Sequence, residues 1–221
     1  MNRTLAAPLP AFALGHWQLA CNHATAVTVL PDGCRDLIVV HAPGRRPEWM
    51  VTALFDAAVE LPVHAGQRFA GLRLDPATRV DEAALCAAAS RLEADDPLDL
   101  GVLLEQHIRP DARLAEALSA LAEGGPIAAI CRRLGVSERS LERLLKQRTG
   151  RSPAYWRGLA RARRAAVALG AGWPLAGIAA DQGYADQAHM SRALRQWFGR
   201  TPQQLRADPA LCALLREPGY G

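Results

Sequence analysis

The chain has 221 residues, with 26 Lys+Arg against 22 Asp+Glu and a formal net charge of +4, which is long enough for one large domain or two small ones that each bury a core. No apolar run approaches the ~20 residues of a bilayer-spanning helix, and the N-terminal MNRTLAAPLPAFALG carries Pro8 and Pro10 without a clean cleavage signal, so a cytoplasmic protein is expected. The five cysteines (Cys21, Cys34, Cys86, Cys131, Cys212) are odd in number and lack a CxxC pair, which argues against a disulfide framework or a zinc ribbon.

The charge is unevenly distributed. Residues 1–125 hold 10 Lys+Arg and 16 Asp+Glu, a net of −6, whereas residues 126–221 hold 16 and 6, a net of +10. A basic half suits a polyanion such as DNA, because cationic side chains displace the counterions condensed on phosphates. The acidic half must do something else.

From Ala26 to Leu74, β-prone runs alternate with turn signals: AVTVL, PDGC, DLIVVH, APGRRP, MVTALF, AAVEL and QRFAGLRL. This predicts a small, mostly antiparallel β domain over residues 1–80. After Asp75-Pro76 the apolar spacing becomes helical, and residues 81–123 are expected to form a helical linker that also offers a dimer contact. Asp95-Asp96 before Pro97 reads as a helix start, not an acid pair. Gly124-Gly125-Pro126 then joins a stop to a helix-starting proline where the charge changes sign, which sets the domain boundary.

Beyond it the sequence repeats. Pro126, Ile130 and Gly135 answer to Pro174, Ile178 and Gly183; one inserted residue later, Leu141, Arg143, Leu145, Lys146, Gln147 and Gly150 answer to Met190, Arg192, Leu194, Arg195, Gln196 and Gly199. Both copies close alike, in Gly-Arg-Ser-Pro and Gly-Arg-Thr-Pro. Each reads as a proline-led helix, a glycine turn, an N-cap (Ser137 or Asp186) and a second amphipathic helix. The inward stripes are Leu141, Leu144, Leu145 and Met190, Ala193, Leu194, Trp197. The outward faces then carry Arg139, Glu142, Arg143 and Lys146 in one copy, and Gln187, Ala188, His189, Arg192 and Arg195 in the other. These are groups that pair with base edges: Arg with guanine, Gln with adenine, Glu with cytosine, and Ala with the thymine methyl. Arg143, Arg192 and His189 suit phosphates as well as bases. Residues 153–169 between the copies predict a spacer helix, with Arg161, Arg163 and Arg164 on a solvated face.

The segment PLAGIAADQGYADQAHMSRALRQWFGRTPQQLR resembles the second half of an AraC-type DNA-binding domain. Ile178-Ala179, Gly183-Tyr184 and Phe198-Gly199-Arg200-Thr201-Pro202 carry the match, and IAAICRRLGVSERSLERLLKQRTGRSPAYW is similar to the first half. The resemblance covers roughly residues 126–206 and implies base reading by Arg139, Glu142 and Arg143 in the first copy and by Gln187, Ala188, His189 and Arg192 in the second. More faintly, Val29-Leu30-Pro31-Asp32-Gly33-Cys34-Arg35-Asp36-Leu37-Ile38-Val39 and Gly71-Leu72-Arg73-Leu74-Asp75-Pro76 resemble a sensor-like β domain found before such domains, here in a shortened form.

The expected fold is therefore α+β: a small N-terminal β-rich domain with linker helices, an all-α domain at 126–208 of two helix-turn-helix units joined by a spacer helix, and a C-terminal tail at 209–221. The expected function is a sequence-specific transcription regulator, activator or repressor, with double-stranded DNA as partner. RNA polymerase, a small-molecule effector and a second copy of the chain are the further candidate partners. No membrane, metal or cofactor is expected. No GxSxG, Walker loop, HExxH or dinucleotide fingerprint occurs, so no catalysis is expected. Cys34 reads as a small residue packed under a hairpin; the alternative is a reactive thiol in a DNA-repair or redox-sensing protein fused to the same DNA-binding domain. Cys21, His23, His41 and His64 have no metal-ligand spacing, and Trp17, Trp49, Phe55 and Phe69 are read as core.

Overall fold

The computed structural model describes residues 9–92, 94–170 and 172–221; the first eight residues of the expected β domain, Pro8 among them, lie outside these. The fold is α+β, with β-structure concentrated in the N-terminal part and helices in the C-terminal part. Contacts divide the chain into two compact units. One comprises Met1–Thr25, Cys34–Ala53 and Pro62–Pro110, and the other Ala26–Gly33, Leu54–Leu61 and Asp111–Gly221. The sequence boundary at Gly124 thus falls inside the second unit.

The first unit is built on a four-stranded sheet. β1 (Ala13–Ala20), β3 (Arg35–His41), β4 (Glu48–Val51) and β6 (Arg68–Leu74) pair antiparallel where bonded, in the order β1-β6-β3-β4. Leu37 and Val39 on β3 and Ala70, Leu72 and Leu74 on β6 share one face by the two-residue period, and all are buried. Trp49, with Leu85 of α1 (Glu82–Ala89), Leu100 of the 3-10 turn Pro97–Leu100 and Leu104 of α2 (Val102–His107), joins them in one core. On β1, Trp17 lies opposite Gly71 in the register. A Cβ on Gly71 would stand 2.2 Å from the indole, so this glycine is required by close approach. The expected continuous run of helices at 81–123 is interrupted: β7 (Thr78–Val80) pairs with β8 (Ile108–Pro110).

Asp96 does start the 3-10 turn, accepting from the Leu98 amide at 2.9 Å. It also accepts from Gln18 Nε2 at 2.7 Å and bonds His16 Nε2 at 2.8 Å. Burial pushes the Asp96 carboxyl up, but the Leu98 amide, Gln18 and His16 together outweigh it and hold the group below its ordinary value.

The second unit holds α3 (Ala112–Ala122), α4 (Ile127–Leu134), α5 (Glu138–Thr149), α6 (Pro153–Leu169), α7 (Leu175–Asp181), α8 (Gln187–Phe198), α9 (Pro202–Ala207) and α10 (Pro209–Arg216). It also holds most of a two-stranded ribbon, β2 (Thr25–Val29) with β5 (Val59–Val63). The residues expected to be a tail form α10 and anchor to the core through three side chains. Leu211 and Leu215 are buried one turn apart, and the buried Tyr220 donates its hydroxyl to the Leu118 carbonyl at 2.9 Å and meets Trp156 edge-on at 4.8 Å. Among the described residues no helix is long and apolar enough to cross a membrane.

Candidate nucleic-acid interface

The internal repeat is reproduced in backbone detail. α4 ends at Gly135 (φ 64°) and the corresponding turn after α7 contains Gly183 (φ 69°), both left-handed. Nothing lies within 4 Å of a Cβ built on either, so glycine is needed there for conformation and not for space. The residue after each glycine donates back to the preceding helix: Val136 N to Cys131 O at 3.0 Å and Tyr184 N to Ala179 O at 2.8 Å. The inserted residue of the second copy sits in this turn, which has Tyr184-Ala185-Asp186 where the first has Val136-Ser137.

The second helices begin and end alike. Ser137 Oγ accepts from Ser140 N at 3.2 Å, and Asp186 Oδ1 from His189 N at 2.6 Å. α5 and α8 are each 12 residues long and close on Gly150 (φ 70°) and Gly199 (φ 66°). Ser152 and Thr201 then cap α6 and α9, each followed by proline in the first turn. Leu141 and Leu145 bury the inner stripe of α5, and Met190, Leu194, Trp197 and Phe198 that of α8.

The sequence-predicted reading residues fall on the outer faces of these helices. Arg139, Glu142, Arg143 and Lys146 are exposed on α5, and Gln187, Ala188, Arg192 and Arg195 on α8, while His189 is half-buried. Matched from their caps, the helices share Arg143/Arg192, Lys146/Arg195 and Gln147/Gln196, whereas Glu138/Gln187, Arg139/Ala188, Ser140/His189 and Glu142/Ser191 differ. Gln147 and Gln196 are exposed one turn beyond the shared arginines and belong with the candidates. The repeat alignment held that signal. Two candidates have protein partners of their own. Lys146 Nζ donates to the Gly150 carbonyl at 3.0 Å, capping its own helix. His189 Nδ1 accepts from Ala185 N at 3.5 Å, and its ring meets Tyr184 edge-on at 5.2 Å. Arg143 lines a groove of about 480 Å³ with Arg113, Glu116, Ser137, Gln147 and Arg148.

The spacer arginines overturn the solvated-face reading. Arg163 is buried (5 % exposed) and donates through Nη2 to the Leu215 and Glu217 carbonyls at 3.4 and 3.0 Å. Arg161 lies 4.4 Å from the centre of the Tyr184 ring and donates to the Gly183 carbonyl at 3.3 Å. Arg164 donates to Gln182 Oε1 at 3.2 Å and to the Ala122 carbonyl. These side chains bind helices together.

A family described as a helix-turn-helix domain matches residues 130–208. No curated protein matches the chain. Among solved structures, the chain is similar to a transcriptional regulator with an AraC-type DNA-binding domain from Chromobacterium violaceum (29 % identity, 49 % of this chain and 96 % of that one, TM-score 0.41). It is also similar to the C-terminal domain of the response regulator AraT from Geobacillus stearothermophilus (26 %, 43 % and 84 %, TM-score 0.40) and to ToxT from Vibrio cholerae (12 %, 86 % and 96 %, TM-score 0.41). The matched segment runs from within α4 to just past α9 and so takes in most of both repeats, and residues 130–208 of this chain are a helix-turn-helix domain.

Proposed function

We propose that this chain is a sequence-specific transcription regulator that presents α5 and α8 to two successive major-groove segments of one duplex, about one helical turn or ~34 Å apart. The observation that carries the reading is the pair of second helices with matching caps and exposed, hydrogen-bonding outer faces, within a half of net charge +10. Arg139, Glu142, Arg143 and Gln147 from α5, and Gln187, Ala188, His189, Arg192, Arg195 and Gln196 from α8, are assigned to DNA. Arg143 and Arg192, common to both helices, each contact a base in their own half-site, and the positions that differ make the two half-sites unlike. The two faces are unlike, so each monomer takes an asymmetric or direct-repeat site. The first unit supplies the signal, as the seat of an effector or of a contact with a second copy, and RNA polymerase is the partner through which bound protein alters transcription in the cytoplasm. Its work is binding and not catalysis.

The repair alternative gains no support, because Cys34 is buried (6 % exposed) and closed to a damaged base. Titrating fluorescent duplex with protein at several salt concentrations tests the proposal. Affinity should fall linearly on a log–log plot, with a slope equivalent to several phosphate contacts. Affinity independent of salt would contradict it.

A further inference from the structure

Leu54–Ala58, between β4 and β5, is held by residues that belong to both repeats. Arg151, in the corner after α5, donates through Nη1 to Asp56 Oδ2 at 2.7 Å and through Nη2 to the Leu54 carbonyl. Its guanidinium lies 4.9 Å from the centre of the Tyr155 ring. Tyr155, in the first turn of α6, donates its hydroxyl to the Phe55 carbonyl at 2.9 Å, and its ring meets Trp197 edge-on at 5.3 Å. The Ala58 amide donates to the Trp197 carbonyl at 2.8 Å. That carbonyl is in the last turn of α8, where the helix offers no donor of its own.

The Asp56 carboxylate is 65 % exposed, and such a pair holds weakly. The grip therefore lies in three backbone groups, those of Leu54, Phe55 and Ala58, which find partners on α8 and on the corner between α5 and α6. The two copies of the Gly-Arg-Ser/Thr-Pro corner differ in this respect. Arg151 is half-buried against the segment, whereas its counterpart Arg200 is exposed and donates to the Gly199 carbonyl at 3.4 Å. The repeat alone does not require Arg151 to be placed so.

We infer that Leu54–Ala58 is a positioning strap: it ties the α5–α6 corner to the end of α8, fixes the angle between the two reading helices, and so sets the half-site spacing the chain accepts. Arg151 and Tyr155 are its positioning residues. The spacing consequence rests on the DNA reading; the angle does not. The strap begins three residues after the end of β4 at Val51.

The test uses the intact chain and the double variant R151M/Y155F. Exchange of the Ala58 amide should accelerate at least tenfold, and the residual dipolar couplings of α5 and α8 should fit one alignment in the wild type but not in the variant. On duplexes whose half-site spacing is changed by one base pair, the preference for the native spacing should fall at least threefold. Unchanged Ala58 exchange, or faster exchange with the helix angle retained, overturns the strap. If the double variant does not fold, the same two readings on Y155F decide by the same criteria. If the wild type selects no DNA sequence, the DNA reading fails while the couplings still judge the strap.

Discussion

Gly33 faces Tyr220 so closely that a Cβ on the glycine would stand 2.7 Å from the tyrosine Cβ, and 3.1 Å from side-chain atoms of both Leu159 and Trp156. Gly33 also has φ +76°, and the Tyr220 amide donates to the Asp32 carbonyl at 2.8 Å. The Pro-Asp-Gly-Cys turn is therefore a packing element of the helical unit. Gly33→Ala should cost about 3 kcal/mol, from left-handed strain plus overpacking, and lower Tm by roughly 10 °C. Gly15→Ala, with nothing within 4 Å of the new Cβ, is the control and should change Tm little. Thermal unfolding followed by circular dichroism checks both; equal effects would contradict the packing.

Arg163→Met should destabilise the protein by about 2–4 kcal/mol, because the Leu215 and Glu217 carbonyls lose their charged donor. Its other expected effect is an absence: the slope of DNA affinity against salt should stay as in the wild type, since a buried guanidinium releases no counterion. A shallower slope would return Arg163 to the phosphate-contacting face.

These cases show where the sequence was legible and where it was not. The two repeats, their caps and the outward positions follow from local rules, because a helix-turn-helix unit is set by glycine conformation, capping side chains and 3.6-residue spacing. β1 was missed: ALGHWQLA has no β-branched residue, and it is a strand through its pairing with β6 and the Trp17 contact with Gly71. The place of Leu54–Leu61 in the helical unit is a tertiary fact carried by Arg151 and Tyr155, nearly a hundred residues on in sequence. Arg163 is surrounded in sequence by alanines and arginines, and only the return of the chain at Leu215 and Glu217 shows that it is buried. For α10 the signal was present in the Leu211/Leu215 spacing.

On the reading helices, Arg143→Ala and Arg192→Ala should each weaken binding to the preferred site by ~1–3 kcal/mol while affecting random DNA less. Lys146→Ala should cost less than either, because its ammonium is engaged with the Gly150 carbonyl. Anisotropy titrations on specific and random duplexes separate these outcomes. Equal losses on both duplexes would make the arginines phosphate contacts.

Asp96 gives the first unit an acid-sensitive joint. Its folded value lies below the ordinary 3.8, so its stabilisation is complete above that pH and is lost as the pH falls through the depressed value. Asp96→Asn should lower stability near neutral pH by about 1–2 kcal/mol, and the gap to the wild type should close below pH ~3.8. Urea midpoints at neutral and acidic pH check this; a gap independent of pH would contradict it.

The central claim, two unlike reading helices on one monomer, is tested most directly by selecting bound sequences from a random duplex library with the intact chain. The expected result is an asymmetric or direct-repeat site with two half-sites about one helical turn apart, one altered in the Arg143→Ala selection and the other in the Arg192→Ala selection. No enriched sequence, or a single half-site unaffected by one of the two variants, would contradict it.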